Sequence, residues 1–195
     1  MSDSTTQGYI VPLAGTEPLE DQSLEDILQA MLVGVTGLPG TLVRPRWQSV
    51  PPAQPAVDVD WAAFGISSET PDANAYVRHD PAGGAGLGTS QQQRHEDVAL
   101  LVTFYGPHGQ AMAKRLTMGL GMAQNREILG LAGIKLKQVG TAQNLSELIN
   151  FQNVRRVDIE VQLRRIVTTD YAIRSLASLT ATVADEKASV TVNLP

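Results

Sequence analysis

Apolar residues recur at helical spacing early in the chain. Leu24, Ile27, Leu28, Met31 and Leu32 fall three and four apart, which puts them on one face of a helix. Ser23 stands at its N-cap position with Asp26 three residues on, as in a capping box, and Glu25 and Asp26 complement the positive helix N-terminus. Gly34 and Gly37 stop the helix, and Leu38-Pro39-Gly40 turns the chain. Residues 42–48 and 60–66 then read as two strands joined by a proline-rich link. They carry Trp47 and Trp61, each a core or interface anchor, with core packing the preferred reading. Residues 67–93 are rich in Gly, Ser, Pro, Asp and Gln and include Gly83-Gly84-Ala85-Gly86-Leu87-Gly88. They read as a functional or partly disordered loop, too long for an ordinary connection and of a kind that orders against a neighbour.

The second half is more regular. Residues 94–105 alternate, with Val98, Leu100, Val102 and Phe104 on one face and Ala99 and Leu101 making the other partly apolar, as in a central strand. Gly106-Pro107 launches a helix whose expected buried stripe is Met112, Leu116, Leu120 and Ala123. Gly119 and Gly121 weaken that helix by about 1 kcal/mol each relative to Ala, which points to close packing or an early kink. A strand at 134–139 and a short helix or turn at 144–149 follow. Next, Val157, Ile159, Val161 and Leu163 alternate with Asp158, Glu160, Gln162 and Arg164, so one face packs on a core and the other meets water or a polar partner. Residues 179–183 and 189–194 flank Asp185-Glu186-Lys187 as a terminal hairpin. The expected organisation is a polar, flexible or partner-docked arm over 1–22, an α/β (α+β) domain over 23–170 with a mixed sheet flanked by helices, and a hairpin segment over 171–195.

Composition narrows the chemistry. The 195 residues contain no cysteine, which removes disulfides, thiolate metal sites and a cysteine nucleophile and suits a reducing cytoplasm. Neither a signal peptide nor an apolar run near ~20 residues is visible, so a soluble protein is expected. Net charge is −5, but residues 1–26 alone carry −6, leaving the rest near neutral. A near-neutral body argues against simple duplex binding, which needs a broad basic surface. Asp58 with Asp60, and Glu96 with Asp97, read as solvated strand ends rather than acid–base pairs. His79-Asp80 and His95-Glu96 are the His–acid neighbours, and Ala99 stands where a zinc-protease motif beginning at His95 needs its second histidine. The glycine run lacks the Lys-Ser/Thr of a phosphate loop, and no nucleophile elbow is present. No catalytic residue, metal site or cofactor is expected.

The doublets Arg155-Arg156 and Arg164-Arg165 bracket the most regular strand. They read either as solvated strand ends or as ionic contacts with a neighbouring subunit, for which the acidic arm is a natural partner. Contact with passing DNA is the weakest reading. Arg155, Arg156, Arg164 and Arg165, with Trp47 and Trp61, are thus the candidate subunit-interface residues.

The order of a short helix, Pro45-Arg46-Trp47-Gln48, Trp61-Ala62-Ala63-Phe64-Gly65-Ile66, a long strand ending in Tyr105-Gly106, a helix, Asn144-Leu145 and Arg155-Arg156-Val157-Asp158-Ile159-Glu160-Val161 resembles the tail-terminator proteins of the bacteriophage neck, over roughly residues 23–170. The resemblance implies a sheet flanked by helices and six copies in a ring that caps the tail tube, fixes tail length and meets the head connector. Its implied partners are further copies of itself, the tail tube protein, a head connector or completion protein and, where present, a sheath protein. DNA would only transit, and no membrane is involved. The alternatives are another head-completion, connector, tail or baseplate component, a module binding a host protein through the acidic arm, or, remotely, a small hydrolase using His79 or His95.

Overall fold

The computed structural model describes residues 8–50, 52–81, 87–149, 152–174, 179–185 and 188–194. In chain order its elements are α1 (Asp21–Thr36), β1 (Val43–Pro45), β2 (Trp61–Pro71), β3 (Tyr76–Asp80), β4 (Leu87–Tyr105), α2 (Gly109–Gly121), α3 (Glu127–Leu131), β5 (Ile134–Val139), β6 (Gln143–Ile149), β7 (Gln152–Arg174), β8 (Leu179–Asp185) and β9 (Ala188–Leu194). They form a seven-stranded mixed sheet in the order β1-β2-β4-β7-β5, with β3 joined to β4 and β6 to β7, plus the separate β8–β9 pair. β1 runs parallel to β2, and the β2–β4, β3–β4, β5–β7 and β6–β7 pairs are antiparallel. The expected α+β class is therefore observed. The chain divides into two units, one of residues 19–72 and 95–166, the other of 1–18, 73–94 and 167–195.

In the larger unit, period-two alternation builds the core. Val98, Leu100, Val102 and Phe104 of β4 and Val157, Ile159, Val161 and Leu163 of β7 are buried with Leu24, Leu28 and Leu32 of α1 and Leu116 and Leu120 of α2. Each fully buried aliphatic or Phe side chain contributes about 1.5–3 kcal/mol of transfer free energy, so this layer carries most of the unit's stability. The α2 stripe departs from expectation at its ends. Ala113 is buried where Met112 is only partly so, and Ala123 is exposed because α2 has already ended at Gly121. Gly119 is explained by close packing: a Cβ there would lie 2.4 Å from Val35 Cγ1.

α1 starts at Asp21, two residues before the expected Ser23 cap, and its N-cap Glu20 makes no capping hydrogen bond. Asp26 instead accepts from Gln22 Nε2 at 2.6 Å. The start is set by a tertiary contact, since the Glu20 carboxylate is held by Arg165. Gly37 ends α1 in the left-handed conformation with its N–H donated to Val33 O.

Three other expectations are corrected. The first strand shrinks to β1, leaving Trp47 beyond it. Residues 67–93 are not a long loop: β2 runs on to Pro71, β3 occupies the middle and β4 begins at Leu87, while 82–86 lie outside the described residues. Polar composition hid these strands because they are exposed, as the burial of β3 shows throughout. Residues 144–149 form β6, a strand and not a helix or turn. The hairpin β8–β9 pairs Leu179 with Leu194 through to Asp185 with Ala188, and Glu186 and Lys187 lie outside the described residues.

In the smaller unit, the segment before Pro18 is tied to β7. Pro12 bridges Tyr171, Leu13 N–H donates to Asp170 O at 2.8 Å, and Asp170 N–H donates to Thr16 Oγ1.

Candidate assembly interface

The four arginines are sorted by strand alternation. Successive residues of β7 point to opposite faces, so each doublet is split. Arg165 turns toward the helix-bearing face and is buried. Its guanidinium donates to Glu20 at 2.6 Å and Glu96 at 2.9 Å, reaches Glu69 at 3.5 Å, and donates to Leu19 O. Glu20, Glu69 and Glu96 are the one carboxylate cluster among the described residues with metal-ligand proximity, and Arg165 fills it. Burial, with Glu20 and Glu96 nearby, holds the Glu69 carboxyl above its usual value despite Arg165. Arg164 turns the other way, to Asp97 at 2.9 Å and Asp72 at 2.6 Å, and Lys137 joins Asp97 at 2.6 Å. The Lys137 and Arg164 hydrogen bonds hold Asp97 below the usual carboxylate range.

Arg156 lies on the helix-free face and grips Asp158 through Nε at 2.9 Å and Nη2 at 2.7 Å, with Glu147 at 3.4 Å. Thr103 Oγ1 donates to the same Asp158 at 2.7 Å and receives Arg46 Nη2. Burial opposes ionisation of Asp158, but the Arg156 and Thr103 hydrogen bonds keep its carboxyl below the usual range. Arg155 is exposed and in no ion pair among the described residues. Three of the four arginines therefore have partners within their own chain, and Arg155 is the one that leaves its charge at the surface.

The helix-free face also carries the two tryptophans. Trp61 of β2 stacks on Tyr105 of β4 with ring centroids 4.3 Å apart and planes 10° from parallel, because the antiparallel register sets these residues directly opposite. Ala63 and Val154 complete a small second apolar cluster. Arg44 lies 5.9 Å over the Trp61 ring. Trp47 has φ +53, a conformation uncommon for a bulky residue, and is 71% exposed. Gly65 explains where its indole goes: a Cβ there would be 2.5 Å from Trp47 Cζ3, so the ring's edge lies over the bare backbone. The core reading thus fails for Trp47, and Trp61 is only half-buried. Together with Arg44, Arg46, Tyr105, Glu147 and Leu148, the tryptophans line an open groove of about 630 Å³. Arg46 Nε is buried beneath the surface without a hydrogen-bond partner among the described residues.

The histidines form no nucleophilic arrangement with their neighbours in sequence. Alternation sends His79 and Asp80 to opposite faces, and likewise His95 and Glu96, and His79 Nδ1 meets Ser90 Oγ at 3.1 Å. The His–acid pair that does form, His108 with Asp60, was hidden by a separation of 48 residues. Asp60 accepts from His108 N–H at 2.8 Å and faces Nδ1 at 2.8 Å, which caps the start of α2. Gly106, at φ +105, is required beside it, since a Cβ would lie 2.6 Å from Asp60 Oδ1. Among the described residues no helix is long and apolar enough to cross a membrane.

Comparison with curated proteins found no match. A family model described as phage neck terminator protein matches residues 22–189, which takes in the sheet, the helices, β8 and the start of β9. The match extends past residue 170, so β8 and the first residues of β9 lie inside the family region. The chain belongs to the phage neck terminator protein family, a structural family of the virion.

Proposed function

We propose that this chain is a ring-forming tail terminator: copies close into a ring on the head-proximal end of the tail tube, stop its growth and give the head connector a surface to join. The carrying observation is the family match over 22–189. The helix-free face supports the reading. A ring joins unlike patches of successive copies, and an exposed Trp beside a stacked Trp–Tyr pair and arginines has the composition of an interface hot spot. Capping and joining need binding surfaces and no reacting groups. Six copies, the tube protein and a connector or completion protein are the partners of this reading, with a sheath protein added in a contractile tail.

The test is electron microscopy of lysates from a phage lacking this gene product. Overlong or irregular tails, unattached to filled heads, are expected. Tails of normal length that merely fail to join heads would overturn length control and favour a connector or completion protein.

A further inference from the structure

The N-terminal segment and the groove have complementary chemistry. Ile10, less exposed than its neighbours, borders a shallow pocket with Val77 and Tyr171, and Pro12 bridges Tyr171. Tyr9 is 94% exposed and Val11 68%. The segment is thus anchored by alternate residues and presents a Tyr and a Val outward. Its first 18 residues hold Asp3 and Glu17 and no Lys or Arg.

The groove offers the converse. Its apolar walls are Trp47, the Trp61–Tyr105 stack and Leu148, which is 67% exposed. Arg44 and Arg46 are in no ion pair among the described residues, whereas Glu147, its acidic lining residue, is taken by Arg156. Gly65 and the strained Trp47 backbone keep the indole at the rim, where it is poised to cover a ligand.

We propose that residues 9–11 of one copy dock in the groove between Trp47 and the Trp61–Tyr105 stack of a second copy, with the acidic arm facing Arg44 and Arg46. This rests on the ring reading and gives it one of its contacts: a head-to-tail joint in which every copy supplies a segment and receives one.

Trp47 and Trp61 are the chain's two tryptophans, so intrinsic fluorescence reads the groove directly. Full-length protein carrying Tyr9→Ala and Val11→Ala is titrated with a peptide of residues 1–18, which contains no Trp. A saturable change in emission is expected. Leu148→Glu, at an exposed lining residue, should weaken it at least about tenfold without moving Tm. An emission change absent, or equal with a peptide carrying the same two alanines, would overturn the docking.

Because the chain lacks cysteine, single variants Tyr9→Cys and Gln48→Cys can be mixed and oxidised. A disulfide-linked dimer of the two is expected. Disulfide formation only within a chain bearing both substitutions would overturn docking between copies. Phage carrying Tyr9→Ala and Val11→Ala separate the two ideas. Normal capped tails would refute the docking and leave the terminator reading intact. Peptide binding and crosslinking, in a phage whose tail length is indifferent to loss of the protein, would do the reverse.

Discussion

At the scale of residues, neighbouring arginines do different work. Arg165 is buried among three carboxylates, and truncating it leaves Glu20, Glu69 and Glu96 close together without their cation. Arg165→Ala should cost about 3–5 kcal/mol in urea unfolding, as for other buried pairs broken on one side. Arg164 is partly exposed and solvent-screened, and Arg164→Ala should cost far less than Arg165→Ala. Equal losses would show that burial does not separate them. The carboxylates set a pH dependence with two signs. Asp158, lowered from 3.8, lends stability that is complete above that value and is lost as pH falls through its lower folded value. Asp158→Asn should therefore lower Tm near neutral pH, with the gap closing in acid. Glu69, raised from 4.5, behaves oppositely: its favourable contribution exists below 4.5 and is lost as pH rises through its folded value. Glu69→Gln should raise Tm near neutral pH and leave it unchanged in acid. Thermal melts across the range check both.

At the scale of elements, Gly119 sets two effects against each other. Alanine improves an exposed helix interior by about 1 kcal/mol, but here its Cβ meets Val35 of α1 at 2.4 Å. Overpacking costs about 1–3 kcal/mol, so Gly119→Ala should destabilise on balance, and Val35→Ala in the same chain should restore much of the loss. A stabilised single variant would mean that α1 and α2 separate freely. Strand lengths follow a related logic. β4 and β7 extend over 19 and 23 residues, far beyond the usual ~5–6. Their central stretches are apolar on one face and legible in sequence. The outer stretch of β4 pairs with the exposed β3 and carries polar residues on both faces, and that of β7 breaks its alternation with Thr168, Thr169 and Asp170. Hydrophobic alternation therefore marked only the middle of each strand.

For the whole molecule, the proposed ring makes Arg155 the informative charge. Arg156 holds Asp158 and Glu147, so reversing it would disturb the fold along with any contact. Arg155→Glu should leave Tm within about 0.5 kcal/mol equivalents, as for ordinary surface changes, and reduce head-joined particles in complementation assays. Unchanged particle yield would remove Arg155 from the ring contact. The chain's own pattern determined the α+β class, the alternation of β4 and β7 and helices α1 and α2, because each of these elements buries a periodic apolar face against a core, and alternation in the sequence also marked the terminal strand pair. The order Trp-Ala-Ala-Phe-Gly to Arg-Val-Asp-Ile-Glu-Val also sufficed to suggest the family. Tertiary structure alone decided the rest. It moved the start of α1 to Asp21 with Glu20 held by Arg165, joined Asp60 to His108, carried polar residues into strands at 67–71, 76–80 and 87–93 and brought Trp47 over Gly65. Each of these depends on groups far apart in sequence, or on hydrogen bonding that side-chain polarity does not report. For the same reason the arginine doublets looked alike in sequence, and only the alternation of β7 against its neighbours gave them separate partners.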